Sequence, residues 1–191
     1  MDVLSEAAVR ILRLFGDTQT NRVIPTVGAE QEYFLIDQDD FKARRDIFYC
    51  GRTLFGAPAV KGQELDDHYF GVLPPRVSAF MQELDKELWK LGIPSKTKHN
   101  EAAPSQHELA PIFANSNVAV DQNLLTMELL KKIAPKYGMS ALLAEKPFMG
   151  INGSGKHNNW SLSTDRGINL FKQGKRPQEN KQFLLFLAAV L

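Results

Sequence analysis

Apolar residues at the start of the chain recur at helical spacing through Val3, Leu4, Ala7, Ala8, Ile11, Leu14 and Phe15, and Gly16 then offers the left-handed stop that ends a helix. From Arg22 to Asp37 the period changes. This stretch is rich in Val, Ile, Tyr and Phe, and a strand here sends Glu30, Glu32, Phe34 and Ile36 from one face. Asp39 to Pro74 follows neither period and is rich in Gly, Pro and Asp, which predicts an irregular segment too long for an ordinary connector and of the kind that often carries function. Pro75 opens the clearest helix, with the stripe Val77, Phe80, Met81, Leu84, Leu88 and Leu91 and with Gly92 at its end.

Ile93 to Asn100 and Gln106 to Phe113 read as extended segments joined through Ala103, Pro104 and Ser105, a candidate hairpin. Val120, Leu124, Met127, Leu130, Ile133 and Ala134 outline another helix, closed by Pro135 and Gly138. Ser140 to Ala144 predicts a strand and Gly150 to Gly155 a glycine-rich loop. Beyond it His157, Asn159, Ser161 and Ser163 alternate with Asn158, Trp160 and Leu162, a strand whose polar face would line a site. Asn180 predicts the cap of a last helix, NKQFLLFLAAVL, which is apolar on every side and reaches Leu191 without a C-cap. The expectation is that residues 1–191 are a piece of a larger domain. Helices and strands mix without regular alternation or repeat, which predicts one α+β domain built on an antiparallel sheet.

At 191 residues with 43% hydrophobic side chains, the chain can bury a sizeable core. Its 23 basic and 22 acidic residues leave a net charge of +1, so no overall field draws it to nucleic acid or to an anionic membrane. A lone cysteine, Cys50, permits no internal disulfide, and no Cys/His cluster has structural-zinc spacing, which predicts a reducing, cytoplasmic setting. Asp2, Glu6 and Arg10 break any export signal, and Phe183 to Leu191 is far shorter than the roughly 20 residues of a membrane span.

The chemistry-bearing set is Glu30 and Glu32, Glu101 and Glu108, and His157, all on or beside predicted strands. Taken singly, each glutamate reads as an ordinary solvent-facing residue and His157 as a hydrogen-bonded structural imidazole. Gathered on one sheet they repel, and hard divalent cations that accept carboxylate oxygen with an occasional imidazole would neutralise them. GINGSGKH, Gly150 to His157, shares Gly150, Gly155 and Lys156 with a Walker phosphate loop. It lacks the hydroxyl after the lysine and leads into a strand rather than a helix, so it reads better as a loop whose backbone lets a small anion approach.

VGAEQEYFLID, KHNEAAPSQHELAPIF and EKPFMGINGSGKHNNWSL together resemble the catalytic domain of glutamine synthetases, over about Val27 to Leu191. KGQELDDHYFG (Lys61 to Gly71) and the lysine of NGSGKHNNW are most similar to the type III class. The resemblance implies an antiparallel sheet carrying the active site with helices packed on its outer face. It implies two or more magnesium or manganese ions per site, one held by Glu32, Glu101 and Glu108, and a second by Glu30 and His157 with a further glutamate later in the chain. It implies that Asn152 and Gly153 contact glutamate, that His99, Asn159 and Ser161 meet ATP, and that Tyr69 and Glu101 border the ammonium pocket. Asn100 and Asn159 stand where the bacterial type I class has histidines, and the interval from Glu101 to Glu108 is one residue shorter, as in the eukaryotic type.

The activity so implied is ATP-dependent joining of ammonia to glutamate through γ-glutamyl phosphate, by a homo-oligomer whose sites are shared between subunits. Phosphate-binding arginines are expected from a later segment and an acid from a neighbouring subunit, so these 191 residues alone are expected to be inactive. Two other readings stand beside it. One is a related ATP-dependent carboxylate ligase or guanidine kinase; the other is a non-catalytic metal-binding or assembly module.

Overall fold

The computed structural model describes residues 1–191. Helix α1 (Asp2–Leu14) ends at Gly16, whose φ of +84° is the left-handed stop read from the sequence. Strand β1 (Val23–Asp37) follows and is the strand with which most of the others pair. Two short helices come next, α2 (Gln38–Ala43) and α3 (Arg45–Cys50), and then the long helix α4 (Pro75–Lys90). β2 (Ser95–Asn100) and β3 (Gln106–Pro111) form the expected hairpin, and β4 (Ala114–Asn115) leads into α5 (Ser116–Ile133). β5 (Met139–Leu142), β6 (Lys156–Thr164) and α6 (Lys181–Val190) complete the chain, with the Asn180 side chain capping α6 by accepting from the Phe183 N–H at 3.0 Å.

The sheet order is β2-β3-β1-β4, and β5 and β6 also pair with β1. Pairings of β1 with β3, β4 and β5 and of β2 with β3 are all antiparallel, so the α+β class is as the sequence predicts. The chain divides into two compact units that interleave in sequence. One comprises residues 1–27, 113–119 and 159–191, and the other residues 28–112 and 120–158. Composition gave no hint of this division, because the boundary falls inside β1 and β6 rather than at a linker.

In the larger unit the two faces of β1 have different fates. Tyr33 and Leu35 point into a core with Phe80, Leu84 and Leu88 of α4 and with Leu130 and Ile133 of α5, all buried. Each such side chain contributes about 1.5–3 kcal/mol of transfer free energy. On the other face Phe34 packs with Ile47, Ala103 and Leu142, while Ile36, Phe41, Phe148 and Ile151 lie partly buried against them. The Glu30/Glu32 end of that face is left for polar groups. The smaller unit has its own apolar cluster of Ala8, Leu12, Val23, Leu162, Leu170 and Phe186.

Three details differ from the sequence pattern. The segment after Asp39 is not wholly irregular, since α2 and α3 occupy its start. Both are too short to show a period, and Asp46 organises the turn around α3 by accepting from the Arg44 guanidinium at 2.6 Å and from the backbone of Ile47 and Leu54 at 3.0 Å each. Leu91 is exposed because the backbone has left the helix there. The buried side of α5 runs through Ala119, Asn123, Thr126, Leu130 and Ile133, so Val120 and Leu124 face outward. Polar Asn123 and Thr126 disguised that stripe. Asn123 is buried because its side-chain amide donates to Gln31 Oε1 at 3.3 Å.

Candidate active site

Strand register assembles the site. β1 pairs with β3 so that Glu32 lies opposite Glu108, and β2 pairs with β3 so that His99 lies opposite the same Glu108. Three ionisable side chains therefore stand in a row across three strands. Glu30 is two residues back along β1, on the Glu32 face. Glu101 follows β2 directly, its N–H donating to the Gln106 carbonyl at 2.9 Å across a turn in which Ser105 takes a φ of +58°.

The imidazoles tie the carboxylates together. His157 Nδ1 is 3.4 Å from Glu30 Oε2 and its Nε2 is 4.0 Å from Glu32 Oε1. His99 Nδ1 is 3.5 Å from Glu101 Oε1 and its Nε2 is 3.2 Å from Glu108 Oε1. Glu32 and Glu108 are both buried, at 7% exposure each, Glu30, Glu101 and His99 are half-buried, and His157 is exposed. Burial, then the charges of Glu101 and Glu30, push the Glu108 carboxyl up to about 7, with His99 acting in the opposite sense. Burial and the neighbouring Glu32 raise Glu101 as well.

Such a donor set fits hard divalent ions. The ligand atoms of Glu30, Glu108 and His157 lie within 4.8 Å of one another, and so do those of His99, Glu101 and Glu108. These groupings overlap with the sets implied by resemblance without coinciding. Glu30 with His157 and Glu101 with Glu108 fall together as implied. Glu108 belongs to both groups, and His99, which was assigned to the nucleotide, sits between two carboxylates. Glu32 is in neither group; its Oε2 accepts from the Gln106 side-chain amide at 3.0 Å and from the Gly155 N–H at 2.9 Å.

Gln106 was missed by the sequence reading. Fully buried, it donates through Nε2 to Glu32 and to the Gly153 carbonyl at 2.7 Å, and through Oε1 it accepts from the Ala103 N–H at 3.0 Å. It thus fixes the hairpin turn, a carboxylate and the glycine loop at once. Only its polarity at the start of a strand could have marked it.

In the loop from Gly150 to Gly155 the backbone is closely approached at two of its glycines, Gly153 and Gly155. A Cβ on Gly153 would lie 1.7 Å from the Glu145 carbonyl oxygen, and one on Gly155 would lie 2.9 Å from Glu32 Oε2. Asn152 donates its backbone N–H to Gln63 Oε1 at 2.6 Å. Lys156 begins β6 rather than a helix, which removes the Walker reading. A cleft of about 770 Å³ runs along this loop, lined among others by Glu32, Glu101, Glu145, Lys146, Asn152 and His157. A second hollow of about 550 Å³, near Phe41 and Phe48, has no acid or imidazole in its walls.

Tyr69 lies against His99, ring centroids 5.2 Å apart, and Asn100 Nδ2 donates to the Gly71 carbonyl at 3.0 Å. Ser161 belongs to the smaller unit, where its hydroxyl donates to Asn169 Oδ1 at 2.8 Å, and Asn159 begins the same stretch of β6.

The family model "Glutamine synthetase, catalytic domain" matches residues 8–191. The chain belongs to that family. A glutamine synthetase of Butyrivibrio fibrisolvens is 63% identical over 191 residues, which is all of this chain and 27% of the relative. A type-3 glutamine synthetase of Dictyostelium discoideum is 50% identical over 189 residues, covering 99% of this chain and 26% of the relative. The chain therefore spans about a quarter of the length of the curated relatives it matches. A glutamine synthetase of Plasmodium falciparum, solved by electron cryo-microscopy, superimposes with a TM-score of 0.59 at 20% identity, over 87% of this chain and 34% of that one, and shares the fold. No helix is long and apolar enough to cross a membrane.

Proposed function

We propose that this chain provides the metal- and glutamate-binding part of an enzyme that joins ammonia to the side-chain carboxylate of glutamate at the expense of ATP. The observation that carries the reading is the convergence of Glu30, Glu32, Glu101 and Glu108 with His99 and His157 beside the loop of Asn152 and Gly153. Glu30, Glu108 and His157 would hold one magnesium or manganese ion and His99, Glu101 and Glu108 another, with Glu32 at the border of both. Bound there, the ions would offset the repulsion between the glutamate carboxylate and the terminal phosphate of ATP.

The chemistry proceeds in two displacements. A side-chain carboxylate oxygen of glutamate attacks the terminal phosphorus of ATP and ADP leaves, giving γ-glutamyl phosphate. Ammonia then attacks the carbonyl carbon and inorganic phosphate leaves, giving glutamine. Asn152 and Gly153 orient the glutamate, and Glu101 and Tyr69 border the pocket in which ammonium gives up its proton. His99 would meet the nucleotide. The remaining ligands, the arginines that would bind phosphate and an acid from a neighbouring subunit complete the site in a cytoplasmic homo-oligomer, so the 191 residues alone bind divalent metal and turn over little.

Phosphate release by the intact protein with ATP, magnesium, ammonium and glutamate tests the reading. Release that needs both glutamate and ammonium and falls by orders of magnitude in Glu108→Gln supports it. Release with another carboxylate or a guanidine points to a related ligase or kinase, and metal binding without any release points to an assembly module.

A further inference from the structure

The segment from Lys61 to Gly71 carries both Tyr69 and Gln63. It is an outlying strap, stapled internally by Lys61 Nζ to Asp67 Oδ2 at 2.5 Å and by backbone bonds from Asp67 to Glu64 and from Phe70 to Asp66, and it turns sharply where Leu65 and Asp66 take φ of +57° and +53°. At one end the strap is fastened to the β2–β3 hairpin, through Asn100 to the Gly71 carbonyl and through the Tyr69–His99 ring contact. At the other it reaches the glycine loop through one bond, from the Asn152 N–H to Gln63 Oε1.

The glycine loop is held from its inner side by several partners. The Gly153 carbonyl accepts from Gln106, Ser154 Oγ donates to the Leu142 carbonyl at 3.1 Å, and Lys146 Nζ donates to the Ile151 carbonyl at 2.7 Å. Asn152 looks the other way. Its N–H meets Gln63, a half-buried side chain outside the three apolar clusters.

We propose that Gln63 is a positioning residue for glutamate, setting Asn152 and Gly153 at the depth at which they meet that substrate and so linking the substrate loop to the strap that carries Tyr69. The substrate part of this inference rests on the ligase reading above; the latch itself does not. Since the bond uses only the acceptor oxygen of Gln63, a glutamate there can replace it and a methionine of similar length cannot.

The test uses the intact protein and compares wild type, Gln63→Met and Gln63→Glu. Two quantities are read: hydrogen exchange at the Asn152 amide, and initial rates with glutamate and ATP varied separately. The expected result is faster exchange at Asn152 in Gln63→Met and restored protection in Gln63→Glu. In Gln63→Met the KM for glutamate should rise about fivefold while kcat and the KM for ATP stay within about twofold, the span of one hydrogen bond. Exchange unchanged in Gln63→Met overturns the latch. Faster exchange with an unchanged KM for glutamate, or with both KM values moved alike, overturns the positioning role. A wild-type protein that releases no phosphate with glutamate defeats the ligase reading and the substrate part of this inference with it, and exchange at Asn152 still decides the latch.

Discussion

Glu32 and Glu108 are direct cross-strand partners on β1 and β3, two carboxylates facing the same side at adjacent positions of an antiparallel ladder. Like charges so placed destabilise a sheet, and here Glu30, Glu101 and burial add to the cost. In exchange the sheet offers ligands on neighbouring strands whose spacing is set by hydrogen bonding rather than by loop conformation. Calorimetry with manganese should therefore show binding that is lost in the double variant Glu30→Ala plus Glu101→Ala, which removes one ligand from each group. Equal binding by wild type and variant would show that these glutamates are ordinary strand residues.

The same crowding gives a pH signature. Glu108, raised to about 7, stabilises the fold while protonated, and that contribution is lost as pH rises through about 7. Buried His107 is depressed to about 4, so its contribution is present above the ordinary imidazole range and is lost as pH falls toward about 4. The two slopes oppose each other between those values. With metal chelated, Glu108→Gln should be more stable than wild type at about pH 7.5 and should show a steeper loss toward about pH 5, where His107 no longer meets the opposing slope of Glu108. Urea midpoints at the two pH values measure this; a variant less stable than wild type at the higher pH would contradict it.

Metal affinity should follow the same group. Glu108 must shed its proton to act as a ligand, so manganese binding tightens as pH rises through about 7 and releases protons as it does so. Titrations in two buffers of different ionisation enthalpy count those protons. Zero release near pH 7 would place Glu108 outside the ligand set.

Gln106 joins the hairpin turn, the Glu32 carboxylate and the glycine loop. Replacing it with leucine leaves the Ala103 N–H without its acceptor and removes a donor from the Glu32 carboxylate, at a cost of about 1–3 kcal/mol. Chemical denaturation should register that loss, accompanied by faster exchange at Gly155. A neutral Gln106→Leu would mean that solvent satisfies these groups.

Gly153→Ala acts differently. Its Cβ would fall 1.7 Å from the Glu145 carbonyl, so the loop must move, while neither apolar cluster of its unit includes this residue. Glutamate-dependent turnover of the intact protein should fall by on the order of a hundredfold, the effect of misplacing a binding group by about 1 Å. Thermal stability should fall as well, since the Gln106–Gly153 bond must give with the loop, while manganese binding should persist; unaltered turnover would remove Gly153 from the substrate site.

Elements with a clear period were legible in the chain itself: β1 through its alternation, α4 through its unbroken stripe and its Pro75 and Gly92 punctuation, and the hairpin through Ala103, Pro104 and Ser105. Glu30, Glu32, Glu101, Glu108 and His157 stood out because acids and an imidazole recurred within strand-like segments. Illegible features share one cause, which is that their partners are distant in sequence. Gln106 reads as an ordinary polar residue until Glu32 and Gly153 are beside it. His99 becomes a neighbour of Glu108 only through the register of β2, and the buried face of α5 is hidden because Asn123 finds its partner in Gln31.

β1 also constrains how this site can come into being. A slip of one residue in its register would turn Glu30 and Glu32 toward the helices and Tyr33 and Leu35 toward the cleft. An error in pairing would thus be penalised twice over, by stranded charge on one side and by wetted aromatic surface on the other. The acids that burden the finished sheet therefore act during folding as proofreaders of its alignment.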